Sequence, residues 1–279
     1  MDFILGTAQF AQNYGIFPSG SRLLEQKNPD QILNQAEQLD FTAVDTAPVY
    51  GLAETIIGKS RTALEVHTKL RPGTDFSNSL ADSLLALGRE QVEVVYLHDS
   101  ALLHHLDMKT RSSLMALESL GAGSLGASVY EEHEFSAVLN SGIFQVVQVP
   151  LNLFDTRFGI DWVRRARDQG VKVFARSIFL QGVLLAQPVG LPAFVRALSP
   201  YLQNFLSLCS DWEVKPIDAL CRFVIEKTAV DGVIVGVSAP SELRGLSQAF
   251  KANVPDGFLE ILDNMDRPDW HLIDPRNWR

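Results

Sequence analysis

The sequence predicts a (β/α)8 barrel, and three observations carry that expectation. Eight short apolar or β-branched runs recur along the chain. Helical patterns, opened by a proline or closed by a glycine, fall between them. The length of 279 residues suits one such barrel, whose usual size is about 250 residues. Runs that are apolar throughout are what a parallel sheet covered on both faces requires. A doubly wound open sheet is the competing α/β fold, but no glycine-rich dinucleotide fingerprint follows the first run.

The elements read in order as follows. Phe3–Ala8 is the first strand. Asn28-Pro29-Asp30 opens a helix, with asparagine as N-cap and proline in the first turn, and Ile32, Leu33, Ala36 and Leu39 form its apolar face. Ala43–Thr46 and Leu64–Lys69 are the second and third strands. Ser77 is read as the cap of a helix in which Leu80, Leu84 and Leu87 recur, and Gly88 ends it. The fourth strand, Val92–His98, precedes a helix over Arg111–Leu120 that stops at Gly121. Ser124–Val129 and Val146–Leu151 follow as strands, then a helix over Trp162–Gln169 before Gly170. Lys172–Ile178 and Gly232–Val237 complete the eight. The long gap between them holds two helical patterns, Pro192–Leu208 and Pro216–Thr228. A barrel needs one of these, so the other is read as an insertion. No linker or low-complexity stretch divides residues 1–279, so a single domain is expected. Residues 266–279, with Pro268, Trp270, Pro275 and Trp278, read as an irregular tail folded back on the body.

Composition narrows the function. The chain is 46% hydrophobic and 20% charged, which fits a packed globule. No run approaches the roughly 20 apolar residues of a membrane helix. The start, Met1-Asp2-Phe3-Ile4-Leu5-Gly6, shows no basic region of a secretory signal. A net charge of −9 without a basic cluster argues against a nucleic-acid partner. Two cysteines, Cys209 and Cys221, fit neither a disulfide scaffold nor a metal cage, and suit a reducing cytoplasm. No feature specifies an oligomeric state.

In such a barrel the C-terminal strand ends form the active face. The second run ends at Asp45, followed by Pro48-Val49-Tyr50-Gly51; the third ends at Lys69 and the fourth at His98. The fifth gives Ser128, the sixth Gln148 and Asn152, the seventh Arg176 and Ser177, the eighth Gly236 and Ser238. A lysine beside an aspartate stays charged when buried, and a charged lysine beside a phenol favours loss of its proton. That makes Tyr50 a candidate proton donor to a carbonyl oxygen and His98 a candidate to orient it. The set has an acid but no hydride source, so redox chemistry requires a bound cofactor. Each residue alone also fits a plain role: loop cap, packed aromatic, solvated strand end or core histidine. Their arrangement on three consecutive strands is what favours chemistry. His104-His105 is not read as a metal pair, because adjacent residues on a helix point apart. His67 shares a strand face with Lys69 and reads as a core residue. Trp270 and Trp278 read as packed tail aromatics.

The string from Asp45 to Gly58, DTAPVYGLAETIIG, resembles the signature after the second strand of the aldo-keto reductases. Ser79–Gly88 with Val92–His98 is similar to their next motif, and Leu125-Gly126-Ala127-Ser128, Gln148 with Asn152, and Ser177 with Gly182 also match in order. The resemblance runs from about Leu5 to Leu243. It implies a (β/α)8 barrel, a small carbonyl or alcohol substrate, and NADP(H) bound in extended form, with an Asp45, Tyr50, Lys69, His98 tetrad. Cofactor contacts are expected from Gly6, Thr7, Ser128, Gln148, Arg176, Ser177, Gly236, Ser238 and Ser241.

Four departures stand out. The chain begins almost at the first strand, without the family's N-terminal hairpin, so other residues must cover the barrel bottom. Val129 stands where the family has an amide-holding asparagine, and Arg176 where it often has an aromatic on the nicotinamide. A guanidinium plane can also stack there, or bind an anionic substrate group. Glu242 stands near where NADPH-preferring members carry arginine, with Arg244 close by. An acid there disfavours a 2′-phosphate. NADP(H) is favoured by family habit and NAD(H) stays open. Two rival functions remain on the same fold: a Schiff-base lyase or aldolase with Lys69 as nucleophile, and a nicotinamide-binding barrel without turnover.

Overall fold

The computed structural model describes residues 1–11, 15–16 and 28–278, apart from the side chain of His105. Eight parallel strands close a barrel in sequence order, β8 pairing with β1. They are β1 Asp2–Gly6, β2 Ala43–Asp45, β3 Glu65–Lys69, β4 Val92–Leu97, β5 Ala122–Ser128, β6 Val146–Pro150, β7 Lys172–Arg176 and β8 Gly232–Gly236. Each strand is followed by helix. These are α1 Pro29–Gln38, α2 Ala53–Ser60, α3 Phe76–Leu87, α4 Met108–Met115, α5 Glu132–Ser141 and α6 Ile160–Arg167. The inserted α7 Ser199–Asp211 precedes α8 Pro216–Thr228, and α9 Pro240–Phe250 follows β8.

The caps explain where the helices start. Asn28 accepts a hydrogen bond from the Gln31 N–H, as its position before Pro29 predicts. Ser77 does not cap α3. Asp75 does, accepting from the Asn78 N–H at 3.1 Å, so the helix begins two residues earlier than expected. A carboxylate at this position also meets the positive end of the helix dipole. Asp107 caps α4 in the same way, and the expected helix over Arg111–Leu120 starts earlier and tightens into a 3-10 turn over Ala116–Leu120. The pattern over Pro192–Leu208 divides into a 3-10 turn, Ala193–Leu198, and α7. The tail is less irregular than expected. After α10 Phe258–Asp263 it forms two short turns, α11 Trp270–Ile273 and a 3-10 turn Pro275–Asn277, their N-termini capped by Asp269 and Asp274. It does fold back on the body: the Arg267 Nε donates to the Leu153 carbonyl, and Trp278 lies 6.2 Å from Phe194.

A large apolar shell fills the space between barrel and helices. A second cluster fills the barrel itself: Ile4, Ala43, Val94, Tyr96, Val146, Phe174 and Ile234. Tyr96 is its largest member and is fully buried. Gly126 on β5 makes its room, since a Cβ there would overlap the Tyr96 ring. Gly126→Ala is therefore expected to cost about 1–3 kcal/mol by overpacking. Urea unfolding measures this; a variant as stable as the parent would show that the ring has room to move. At the N-terminal strand ends the barrel narrows to a cleft of about 140 Å³, lined by His67, Val94, Val146 and Phe174 among others. The His67 ring stacks on Phe174 there, the planes 5° from parallel.

Candidate active site

At the opposite end the strand C-termini surround a cavity of about 570 Å³. Its walls include Gly6 at the end of β1, Thr7, Asp45, Tyr50, Lys69, His98, Ser128, Gln148, Arg176, Ser177 and Gly236. The pairing register brings these side chains together. Asp45 lies opposite His67, Lys69 opposite Tyr96, and Ser128 opposite Gln148.

A buried ion pair forms the floor. The Lys69 ammonium donates to one Asp45 oxygen at 2.6 Å and to the Thr46 carbonyl at 2.9 Å. The other Asp45 oxygen accepts from the Gln148 amide at 2.6 Å. Asp45 and Lys69 are 4% and 3% exposed, so the pair is screened little by water. Burial works against the ammonium, but the Asp45 carboxylate and the Tyr50 phenol together outweigh it. Lys69 therefore titrates above the ordinary lysine range. Its Nζ lies 5.2 Å from the centre of the Tyr50 ring. A tight turn, closed by the Tyr50 N–H on the Ala47 carbonyl and followed by Gly51 at φ +64°, aims that ring over the cavity. His98 meets it edge-on, with ring centres 6.5 Å apart. Burial, then the Lys69 charge, pushes the His98 imidazole down to about 4. It is neutral at pH 7, with one ring nitrogen able to donate and the other to accept a hydrogen bond.

The remaining candidates divide into those that face the cavity and those that do not. Thr7 lines it but spends its hydroxyl on the Asp45 carbonyl, bracing that residue. Ser177 holds a left-handed backbone, φ +61°, and its carbonyl is tied to the Asn152 amide at 3.2 Å. Val129 is buried; its N–H donates to the Gln148 carbonyl and its carbonyl accepts from Arg176. Ser238 and Ser241 lie outside the cavity wall, at the start of α9. There Glu242 accepts from the Ser238 N–H at 2.7 Å, so one of its oxygens closes the turn into the helix. Trp270 and Trp278 are half-buried in the tail, away from the cavity.

Arg176 has no acidic partner among the described residues. Its guanidinium donates to the Val129 carbonyl at 3.1 Å and lies 4.2 Å from the Tyr130 ring centre. Its Nε is buried without a partner. Tyr130 was not singled out in the sequence. It also carries Arg276 at 4.3 Å, whose charge is matched by Asp274 and Glu131. Tyr96, beneath Lys69, was likewise missed; strand alternation from His98 through Tyr96 to Val94 is the signal that places it.

The description of the aldo/keto reductase family matches residues 2–267. The chain belongs to the aldo/keto reductase family. It is 23% identical to a D-threo-aldose 1-dehydrogenase of a Pseudomonas species, covering 90% of this chain and 92% of that one. It is 21% identical to a pyridoxal 4-dehydrogenase of Microbacterium luteolum, over 66% of this chain and 59% of that enzyme. A glycerol dehydrogenase of Gluconobacter oxydans shares the fold at a TM-score of 0.70, with 18% identity over 94% and 90% of the two chains. Among the described residues of this aldo/keto reductase, no helix is long and apolar enough to cross a membrane.

Burial gives this family member an acid-labile core. His67, 4% exposed, is pushed down to about 4, chiefly by burial and against the pull of Asp45. Its folded value lies below the unfolded value of about 6.5, so stability is lost as pH falls from about 6.5 towards 4. His67→Phe keeps the stack on Phe174 and removes this term. The variant is expected to lose less stability than the parent between pH 7 and pH 4.5, by on the order of 2 kcal/mol. Parallel losses in urea titrations at the two pH values would remove His67 from the acid response.

Proposed function

We propose that this aldo/keto reductase interconverts an aldehyde or ketone and the corresponding alcohol with a nicotinamide cofactor, using Tyr50 as the proton donor. The observation that carries this reading is the buried Asp45–Lys69 pair, 2.6 Å apart, set beside Tyr50 at the cavity floor. The cofactor's ring fits the residues present. A cavity of about 570 Å³ lies within the ordinary range for small-molecule sites. Around it the Gln148 Oε1, the His98 Nδ1 and the Arg176 Nε are buried without partners among the described residues, and an amide or a carbonyl would satisfy such atoms. Ser128, Gln148 and Ser177 would hold the nicotinamide side, with Gly6, Thr7 and Gly236 along the wall. Ser238 and Ser241 would meet the adenosine end beyond it.

When bound, the cofactor supplies or accepts a hydride. The protein's own part is proton transfer and positioning. His98, neutral at pH 7, donates a hydrogen bond to the substrate oxygen. Tyr50 delivers the proton to that oxygen during reduction and takes it back during oxidation. Lys69 stabilises the phenolate left behind, and Asp45 holds Lys69 charged and fixed. Gln148 in turn holds Asp45. This argues against a Schiff-base lyase, which needs Lys69 as a neutral amine. The names of the relatives support a small polar substrate, alcohol or carbonyl. The two buried free cysteines fit a reducing workplace such as the cytoplasm. NADP(H) is favoured over NAD(H) by family habit; Glu242, one oxygen of which accepts from the Ser238 N–H, keeps its negative charge at the start of α9 and leaves NAD(H) open.

Arg176 favours substrates with an anionic group. It is a cation on the cavity wall whose charge no described acid matches, and stacking on Tyr130 leaves donors unused. Fluorescence titration with NADPH and NADH, followed by paired neutral and anionic carbonyl substrates, tests the whole reading. Binding of neither cofactor would leave the proposal without a hydride source. Arg176→Tyr is expected to lower kcat/KM about ten- to a hundredfold on the carboxylated or phosphorylated member of each pair and little on the neutral one. Equal losses on both would remove anion recognition while leaving the oxidoreductase reading intact.

A further inference from the structure

The loop after β4 and the first turn of α5 bring together two histidines that lie 29 residues apart in sequence. His104 stands in a 3-10 turn, Ser100–His105, a few residues beyond His98. His133 stands at the start of α5, just beyond Val129 and Tyr130. Their Nε2 atoms are 3.3 Å apart. With Zn–N bonds of about 2.0–2.1 Å, two imidazole ligands of a tetrahedral zinc are separated by about 3.3–3.4 Å. The ring centres are 4.8 Å apart and the planes differ by 24°, so the Nε2 ends already lie closer than the ring centres do. Both side chains are exposed.

A carboxylate stands behind them. One ligand atom from each of His104, His133 and Glu134 falls within 4.8 Å of the others. Glu134 is 5% exposed and firmly held. Its Oε1 accepts from the Ser100 hydroxyl at 2.6 Å, and its Oε2 from the Tyr130 and Glu131 N–H groups at 2.7 and 3.0 Å. A carboxylate offers about four lone-pair sites, and three donors leave one, on Oε1. Adjacent residues could not make this site, which is why His104-His105 carried no metal reading. The fold supplies the second ligand from the neighbouring strand–helix unit.

We propose that His104 and His133, backed by the Glu134 carboxylate, bind one divalent transition-metal ion of the zinc class. The two imidazoles supply direct ligands, Glu134 supplies charge directly or through a water, and water completes the shell. Such an ion ties the loop that begins at His98 to the loop that carries Tyr130, both on the cavity wall. Imidazole ligands suit Zn²⁺, Co²⁺ and Ni²⁺ over Mg²⁺ or Ca²⁺.

The test is calorimetric titration of the purified full chain with ZnCl2, repeated with CoCl2 while its visible absorption is recorded. The comparison set is His104→Ala, His133→Ala and, as a control for adventitious surface binding, His271→Ala in the tail. All three positions are exposed, and unchanged melting without metal confirms that each variant folds. One ion per chain is expected, with affinity lowered at least about tenfold by either loop substitution and unchanged by His271→Ala. Zn²⁺ is also expected to raise the melting temperature of the parent and of His271→Ala, but not of the two loop variants. No binding to the parent, equal binding to all four proteins, or a loss that tracks His271 would each overturn the proposal.

Discussion

Tyr50→Phe is expected to retain nicotinamide affinity while losing about 10²–10⁴-fold in carbonyl reduction, the usual worth of a positioned general acid. The phenol lies on the cavity wall, close to Lys69 and edge-on to His98, where a carbonyl oxygen would be held. Removing the hydroxyl leaves the ring, the turn that carries it and the ion pair beneath it in place. Cofactor contacts assigned to Ser128, Gln148 and Ser177 do not involve it. Loss in kcat with an unchanged cofactor dissociation constant is therefore the expected signature. Turnover equal to the parent's on the best substrate of the panel would take Tyr50 out of the reaction, whatever the cofactor does. A parallel fall in cofactor affinity would instead place the phenol among the binding groups.

Much of this arrangement could be read from the chain because barrel order follows sequence order. Asp45, Lys69 and His98 end three consecutive strands, so their proximity follows once eight strands are recognised. The strands themselves were legible as apolar runs, since both faces of a parallel barrel are covered. Contacts across the barrel were not. Gln148 reaches Asp45 over 103 residues, and no local pattern distinguishes a glutamine that holds a carboxylate from one that holds a ligand. Arg176 and Tyr130 met in the same unforeseen way, because both lie where strands give over to loops and side-chain direction is no longer fixed by alternation. Helix starts were misplaced where an aspartate stood upstream of the residue expected to cap. Asp75 and Asp107 each captured a backbone N–H that the apolar periodicity alone does not reveal. His104 and His133 belong to separate strand–helix units, and their approach depends on how the turn after β4 packs against the first turn of α5.

Lys69→Met is expected to damage both activity and stability, and the two losses can be separated. The substitution keeps most of the side chain's volume but withdraws the ammonium from a carboxylate that is 4% exposed. Asp45 retains the Gln148 amide on one oxygen and loses the 2.6 Å ammonium contact on the other. Removing one partner of a buried pair costs about 3–5 kcal/mol, because the remaining charge is left in low dielectric. Urea unfolding should show a loss of that order. Adding Asp45→Asn to Lys69→Met removes the stranded charge while preserving shape and the capacity to bond Gln148. The double variant is expected to recover most of the stability and none of the turnover, since neither residue can then stabilise a phenolate at Tyr50. The remaining activity of Lys69→Met should also show a shifted pH–rate profile. A single variant as stable as the parent would mean that the pair contributes little to the fold. A double variant with restored turnover would mean that the Lys69 cation has no part in proton transfer, leaving Tyr50 and His98 to act without it.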